Sequence, residues 1–256
     1  MSDPIAPVGR ETVHAAIRRA SDATGVDFSL LVETARRESA LNPTARASTS
    51  SATGLFQFIE STWLDMVRRH GADHGLGAEA AALRGGANAE TRRQILALRN
   101  DPEIAARMAG ELTRENAATL QARFGRAPTA GELYAAHVMG SGGAIRLIEA
   151  AQQGAPSAAA LFPREAAANR GLFYAQGEAR SAQGLLDRLQ IDASAGTGGV
   201  TEAAARRVEY GDDGEAMSPA LAQALFHMAL LPLLRAGEEE ERQDPLRAIA
   251  AYQRNA

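Results

Sequence analysis

The chain has 256 residues, 45 % of them apolar, which is enough for one substantial core and excludes wholesale disorder. Its formal charge is −4 and all 27 basic residues are arginine, so no global field draws it to nucleic acid or an anionic membrane. Cysteine is absent, which excludes disulfides, thiolate metal sites and a cysteine nucleophile.

The N-terminal stretch MSDPIAPVGRETVHAA has no basic region followed by an apolar one, so no secretory leader is legible in it. Helical periodicity dominates the chain, and no alternating strand pattern stands out. A first helix is expected over Glu11–Asp22. A second starts after Asp27, a good N-cap, and runs to about Leu41, where Asn42-Pro43 stops it. Ser61 caps a third through Trp63, Met66 and Val67. Residues 71–88 carry Gly71, Gly75, Gly77, Gly85 and Gly86, which predicts loop with at most short helical pieces.

Asp101-Pro102-Glu103 is a strong start signal, a cap followed by proline at the first helical position and an acid. The helix that follows is expected to last to about Phe124. Thr129 and Glu132 form a capping box opening the helix that holds Tyr134 and His137. Gly140-Ser-Gly-Gly143 interrupts it, residues 144–152 resume it, and a shorter helix spans 181–190. From 192 to 217 the composition shifts to Gly, Ser, Ala and Asp, a linker signal. Ser218-Pro219 starts one more amphipathic helix, bent or ended near Pro232, and its run MALLPLL is too short to span a bilayer.

At 100° per residue, Leu30, Leu31, Thr34, Ala35 and Leu41 share one arc of the second helix with Glu38. Glu33, Arg36 and Ala40 lie opposite. Desolvating a carboxylate costs several kcal/mol, so Glu38 must pair, protonate or face a cleft. One reading is a buried Glu paired with an Arg. The other is a proton donor kept loaded by burial. The loop that follows, from Ala45 to Thr53, is small, polar and uncharged but for Arg46, and Gly54 allows close backbone approach. Such a loop can lie beside a neutral glycan, although a loop of this composition is commonly just a loop.

Glu38-Ser39, then Asn42-Pro43, Ala45, Ser48, Ala52 and Gly54-Leu55-Phe56-Gln57 resemble the signature of the soluble lytic transglycosylase family. Three departures are one extra residue between Pro43 and Ser48, Ser51 in place of Gly, and Phe56 in place of Met. A second match is Ala136-His137-Val138-Met139-Gly140, similar to the family's Ala-Tyr-Asn-Ala-Gly motif with His137 in the tyrosine position. The Ala-His form, together with Asn169-Arg-Gly-Leu-Phe173-Tyr174 and then Arg180-Ser181, is similar to phage-like and flagellum-associated members. The resemblance covers roughly residues 10–190. It implies an all-α, goose-type lysozyme-like catalytic domain over 1–191, beside which composition and pattern predict a linker over 192–217 and a helical C-terminal segment over 218–256.

The resemblance further implies cleavage of peptidoglycan between N-acetylmuramic acid (MurNAc) and N-acetylglucosamine (GlcNAc), with Glu38 as acid and then base and a 1,6-anhydro product. No second acid in the motif region has a clear claim: Glu33 is on the opposite helix face, and Glu60 and Asp65 flank a helix start. Ser48 and Gln57 are candidate sugar-binding groups, with loop stabilisation and a helix-start hydrogen bond as their plain alternatives. His137 either donates to Glu38 or substrate or is a satisfied helix histidine. Tyr134 either lines the cleft or packs in the core, and Tyr174 is a further candidate for the same groove. Trp63 is assigned to core packing over sugar stacking. His70 and His74 are four apart as on a metal-binding helix, but the glycines beside them and the missing acid argue against a metal. No cofactor is expected.

Two rival functions stand beside this one: a muramidase that uses water, and a non-catalytic glycan-binding or structural subunit of a phage tail, flagellum or secretion apparatus. The substrate side implies action in the periplasm or cell wall by an unknown export route. Residues 218–256 are the candidate docking segment for a flagellar, secretion or phage structural protein.

Overall fold

A computed structural model describes residues 10–190, leaving aside residues 49 and 169. The expected linker at 192–217 and the helix and docking segment over 218–256 lie outside the described residues. Within them the fold is all-α, with one small hairpin.

Helix α1 (Arg10–Thr24) ends at Gly25, whose φ of 72° turns the chain into α2 (Phe28–Ser39). Asp27 caps α2 as expected, its carboxylate accepting from the Leu30 N–H at 2.9 Å. The end of α2 comes earlier than Asn42-Pro43: Ala40 and Leu41 are both left-handed, with φ of 52° and 64°. The Ala40 and Leu41 N–H groups close the last turn onto the carbonyls of Arg36 and Ala35. The backbone reversal, not the proline, is therefore the stop.

Helix α3 (Glu60–His70) corrects a second expectation. Ser61 lies inside the helix and caps nothing; the N-cap is Ile59, without a side-chain bond. The N–H of Glu60 instead donates to the Ser51 hydroxyl oxygen at 3.3 Å, on a loop that folds back over the helix start. Residues 71–88 hold a short 3₁₀ turn over Gly71–His74 and α4 (Gly77–Arg84), in keeping with the short pieces expected there. Helix α5 (Ala89–Ala97), capped by Asn88, was not legible in the sequence because Ile95 is its one fully buried residue.

Asp101 caps α6 (Pro102–Phe124) through the N–H groups of Glu103 and Ile104, with Pro102 in the first turn. This helix is the spine of the domain, packing on α1 and on α7 (Ala130–Gln152). Gly110 lets α1 approach closely, since a Cβ there would stand 2.5 Å from Thr24 Oγ1. The Thr129–Glu132 capping box is present at the head of α7. Gly140, at φ 72° and ψ 162°, puts the expected interruption inside that helix.

The remainder wraps around α7. Short helices α8 (Ala158–Leu161), α9 (Pro163–Ala168) and α10 (Arg170–Phe173) lead into a hairpin of β1 (Tyr174–Ala175) and β2 (Glu178–Ala179). Helix α11 (Ala182–Arg188), capped by Ser181, packs along α7. Trp63 is fully buried with its edge to Phe58 and its indole N–H donated to the Ile95 carbonyl at 2.7 Å. Core packing, not sugar stacking, is its role.

Candidate active site

The inward face of α2 is as the periodicity dictates. Leu30, Leu31, Val32, Thr34, Ala35 and Glu38 are buried, while Glu33 pairs with Arg36 on the outer side. The Glu38 side chain has no exposed surface at all. Its neighbours come from the first half of α7, where every residue from 131 to 140 is buried.

Tyr134 directs its hydroxyl at Glu38 Oε1 from 3.4 Å, and His137 Nε2 stands 3.6 Å from the same oxygen. One helical turn apart on α7, the two rings lie parallel, at 9° and 6.1 Å between centroids. Glu38 Oε2 has no hydrogen-bond partner and is shut away from solvent. Burial pushes the Glu38 pKa up to about 8, against the lowering effects of the Tyr134 hydroxyl and the Arg37 charge. Burial also pushes His137 down to about 4. At neutral pH the pair is thus a protonated carboxyl beside a neutral imidazole, and 3.6 Å is too long for a hydrogen bond between them. Burial and the neighbouring Glu38 hold the Tyr134 phenol well above its usual range, so it stays a donor.

The paired-arginine reading of Glu38 does not hold. The adjacent Arg37 donates to the backbone carbonyls of Leu189 (3.4 Å) and Gln190 and lies 4.9 Å over the Tyr134 ring. Among the described residues, no carboxylate is among the groups that act on Glu38.

The loop after α2 is held from three sides. Ser39 donates its hydroxyl to the Leu55 carbonyl at 2.8 Å, fastening the helix end to the loop. Gln57 is buried, and its side-chain amide donates to the carbonyls of Ala45 (3.2 Å) and Gly54 (2.9 Å). Its donors are spent on shaping the loop. Arg99, buried on the 3₁₀ turn after α5, donates to the carbonyls of Ser51 (2.7 Å), Phe58 (3.0 Å) and Leu96 (3.0 Å). A Cβ at Gly54, which also has φ +88°, would collide with the Arg99 carbonyl. Only glycine permits that approach.

The structure therefore brings Glu38, Tyr134 and His137 together and sets Gln57 beneath the loop. Ser48 is exposed on that loop. Tyr174 stands apart in β1, under the Arg170 guanidinium at 4.6 Å, and shares no hydrogen bond or ring contact with Glu38, Tyr134 or His137. Arg37 and Arg99 are the residues that sequence reasoning missed. Arg37 abuts the motif and was legible by position alone; nothing local marks Arg99, whose loop partners Ser51 and Phe58 lie over forty residues away.

His70 and His74 are committed elsewhere. His70 Nε2 lies 2.6 Å from Glu115, His74 Nε2 lies 2.8 Å from Glu111, and Arg114 pairs with Glu111. They form a buried polar network between α3 and α6, and among the described residues no cluster with metal-binding geometry occurs. No helix among the described residues is long and apolar enough to cross a membrane.

Residues 15–83 match the family model described as the Transglycosylase SLT domain. The matched span runs from α1 into α4 and contains Glu38, Ser48 and Gln57; Tyr134, His137 and Tyr174 lie beyond it.

Proposed function

We propose that this chain, whose residues 15–83 match the transglycosylase SLT domain, is a lytic transglycosylase acting on peptidoglycan of the cell wall. It cleaves the β-1,4 bond from MurNAc to GlcNAc and leaves a 1,6-anhydro-MurNAc end, with Glu38 as acid and then base. What carries this reading is one sealed carboxyl, loaded with a proton at neutral pH, with no second carboxylate acting on it among the described residues. Glycosidases that hydrolyse with two acids hold the second about 5–10 Å from the first. A lone acid suits a reaction whose nucleophile belongs to the substrate.

The protonated carboxyl gives its proton to the glycosidic oxygen as the C1–O bond breaks, and the GlcNAc-bearing portion leaves as an alcohol. The substrate's own acetamido group stabilises the anomeric centre. The Glu38 carboxylate then takes the proton of the MurNAc C6 hydroxyl as O6 bonds to C1, which restores the starting acid. The unpartnered Oε2 is the oxygen with hydrogen-bonding capacity to spare for the incoming substrate. Because the side chain is fully covered, the glycosidic oxygen reaches it only after the cover moves. Tyr134 supports the carboxylate formed in the first step, and neutral His137 fills the site without adding charge. Ser48 offers its hydroxyl to the sugar from the exposed loop, and Gln57 sets the loop's shape. The catalytic unit is residues 1–191, with 192–217 as linker and 218–256 as the segment that docks on a larger machine.

Mass spectrometry of a peptidoglycan digest tests the reading. Wild type is expected to release anhydro-ended muropeptides and Glu38→Gln none. Reducing-end products would replace it with a muramidase, and no release by either protein would replace it with a binding subunit.

A further inference from the structure

Arg37 precedes Glu38 in the chain, and its side chain reaches backbone from the far end of the described residues. It donates to the carbonyls of Leu189, at 3.4 Å, and Gln190, the last described turn after α11. The Gln190 side chain lies close over Gly131 in the first turn of α7, where a Cβ would meet its amide end. Anchored there, the guanidinium lies 4.9 Å over the ring of Tyr134, whose hydroxyl meets Glu38 Oε1. Three elements thus converge on one aromatic ring: α2 through Arg37, α7 through Tyr134 itself, and the chain after α11 through its carbonyls.

Resting on the transglycosylase reading, we propose that Arg37 is a positioning residue for the reaction, a clamp that holds the Tyr134 ring so that its hydroxyl stays on Glu38. The chemistry of arginine suits the task. Its planar fork donates to two carbonyls while it lies over an aromatic ring, whereas a lysine ammonium is a compact point charge with no rigid fork to fix that arrangement. The groups facing Glu38 are Tyr134 and His137 from α7 and Arg37 from its own helix; the chain after α11 contributes backbone carbonyls. Two routes from Arg37 to Glu38 therefore exist, its charge directly and its hold on Tyr134. Lysine separates them, because it keeps the charge and loses the clamp.

The test is Arg37→Lys in the full chain, made in the wild-type and Tyr134→Phe backgrounds, with folding checked by thermal melting. The clamp predicts that Arg37→Lys lowers kcat about tenfold with KM within about twofold, and that it adds nothing to Tyr134→Phe. NMR titration of the Glu38 carboxyl gives a readout that needs no turnover. Losing the tyrosine bond raises the Glu38 midpoint in Arg37→Lys although the charge is kept, and the rise is absent in the Tyr134→Phe background. The proposal is overturned if Arg37→Lys titrates like wild type, or if its effect persists without the tyrosine hydroxyl. Should lysine prevent folding, Arg37→Gln in both backgrounds reads the coupling instead. It removes the charge in both, so only the part of its effect that disappears with the tyrosine hydroxyl belongs to the clamp, and an equal effect in the two backgrounds overturns it. A wild type that titrates as described but releases no muropeptide would sink the transglycosylase reading and leave the clamp standing.

Discussion

Replacing Glu38 with glutamine removes a charge and keeps a shape, and the site dictates what this does to stability at each pH. Burial raises the Glu38 pKa from 4.5 to about 8. Between those values the unfolded chain has released a proton that the folded one still holds. With more protons bound in the folded state, stability falls as pH rises through the window and levels off above about pH 8. One pK unit is worth about 1.4 kcal/mol, so the native carboxyl costs up to roughly 5 kcal/mol on the alkaline side. Glutamine in the same sealed place must desolvate an amide that lacks partners, at about 2 kcal/mol. Glu38→Gln is therefore expected to fall about 2 kcal/mol below wild type near pH 4 and to exceed it by about 2–3 kcal/mol near pH 8.5. His137, lowered to about 4, runs the other way and costs stability as pH falls below its ordinary value of 6.5. Both proteins carry it, so it drops out of the difference. Urea unfolding in half-unit pH steps measures the gap between the two curves. Parallel curves across this range would refute the argument, because they would mean that Glu38 ionises as freely in the folded protein as in the unfolded one.

Two further outcomes follow from the loop. Gly54→Ala combines a positive φ with a collision against the Arg99 carbonyl, and is expected to cost about 3 kcal/mol or more in thermal unfolding; an unchanged melting temperature would contradict the packing described. Arg99→Met keeps much of the volume but frees the carbonyls of Ser51, Phe58 and Leu96. It should cost about 2–3 kcal/mol and raise KM for glycan more than it lowers kcat, which steady-state kinetics would read.

What could be read ahead of the structure was what one helix or one cap decides by itself. Asp27, Asp101 and Thr129 each cap within four residues, and Glu38 falls on the apolar arc of α2 by spacing alone. The misreadings share a cause, which is that distant backbone settled them. Ser61 looked like a cap because Ser51, nine residues before Glu60, could not be seen to return to the helix start. The stop at Ala40 and Leu41 rests on two left-handed residues whose side chains do not announce that conformation. Gln57 was read as either a sugar-binding group or a loop stabiliser, and its amide nitrogen donates to the carbonyls of Ala45 and Gly54. Tyr134 was weighed as either core or cleft; its ring is buried and its hydroxyl is directed at Glu38.

The covered position of Glu38 also separates its proton from the bulk in time. A carboxyl with no exposed surface exchanges with water only during excursions that uncover it, so the rate of those openings, rather than acidity, sets how quickly it responds. After a sudden change of buffer, each molecule keeps its earlier protonation state for one opening lifetime. Reagents that attack protonated carboxyls meet the same delay and modify the surface acids first. The Glu38 proton is in this sense a stored quantity, set by the last opening and held until the next.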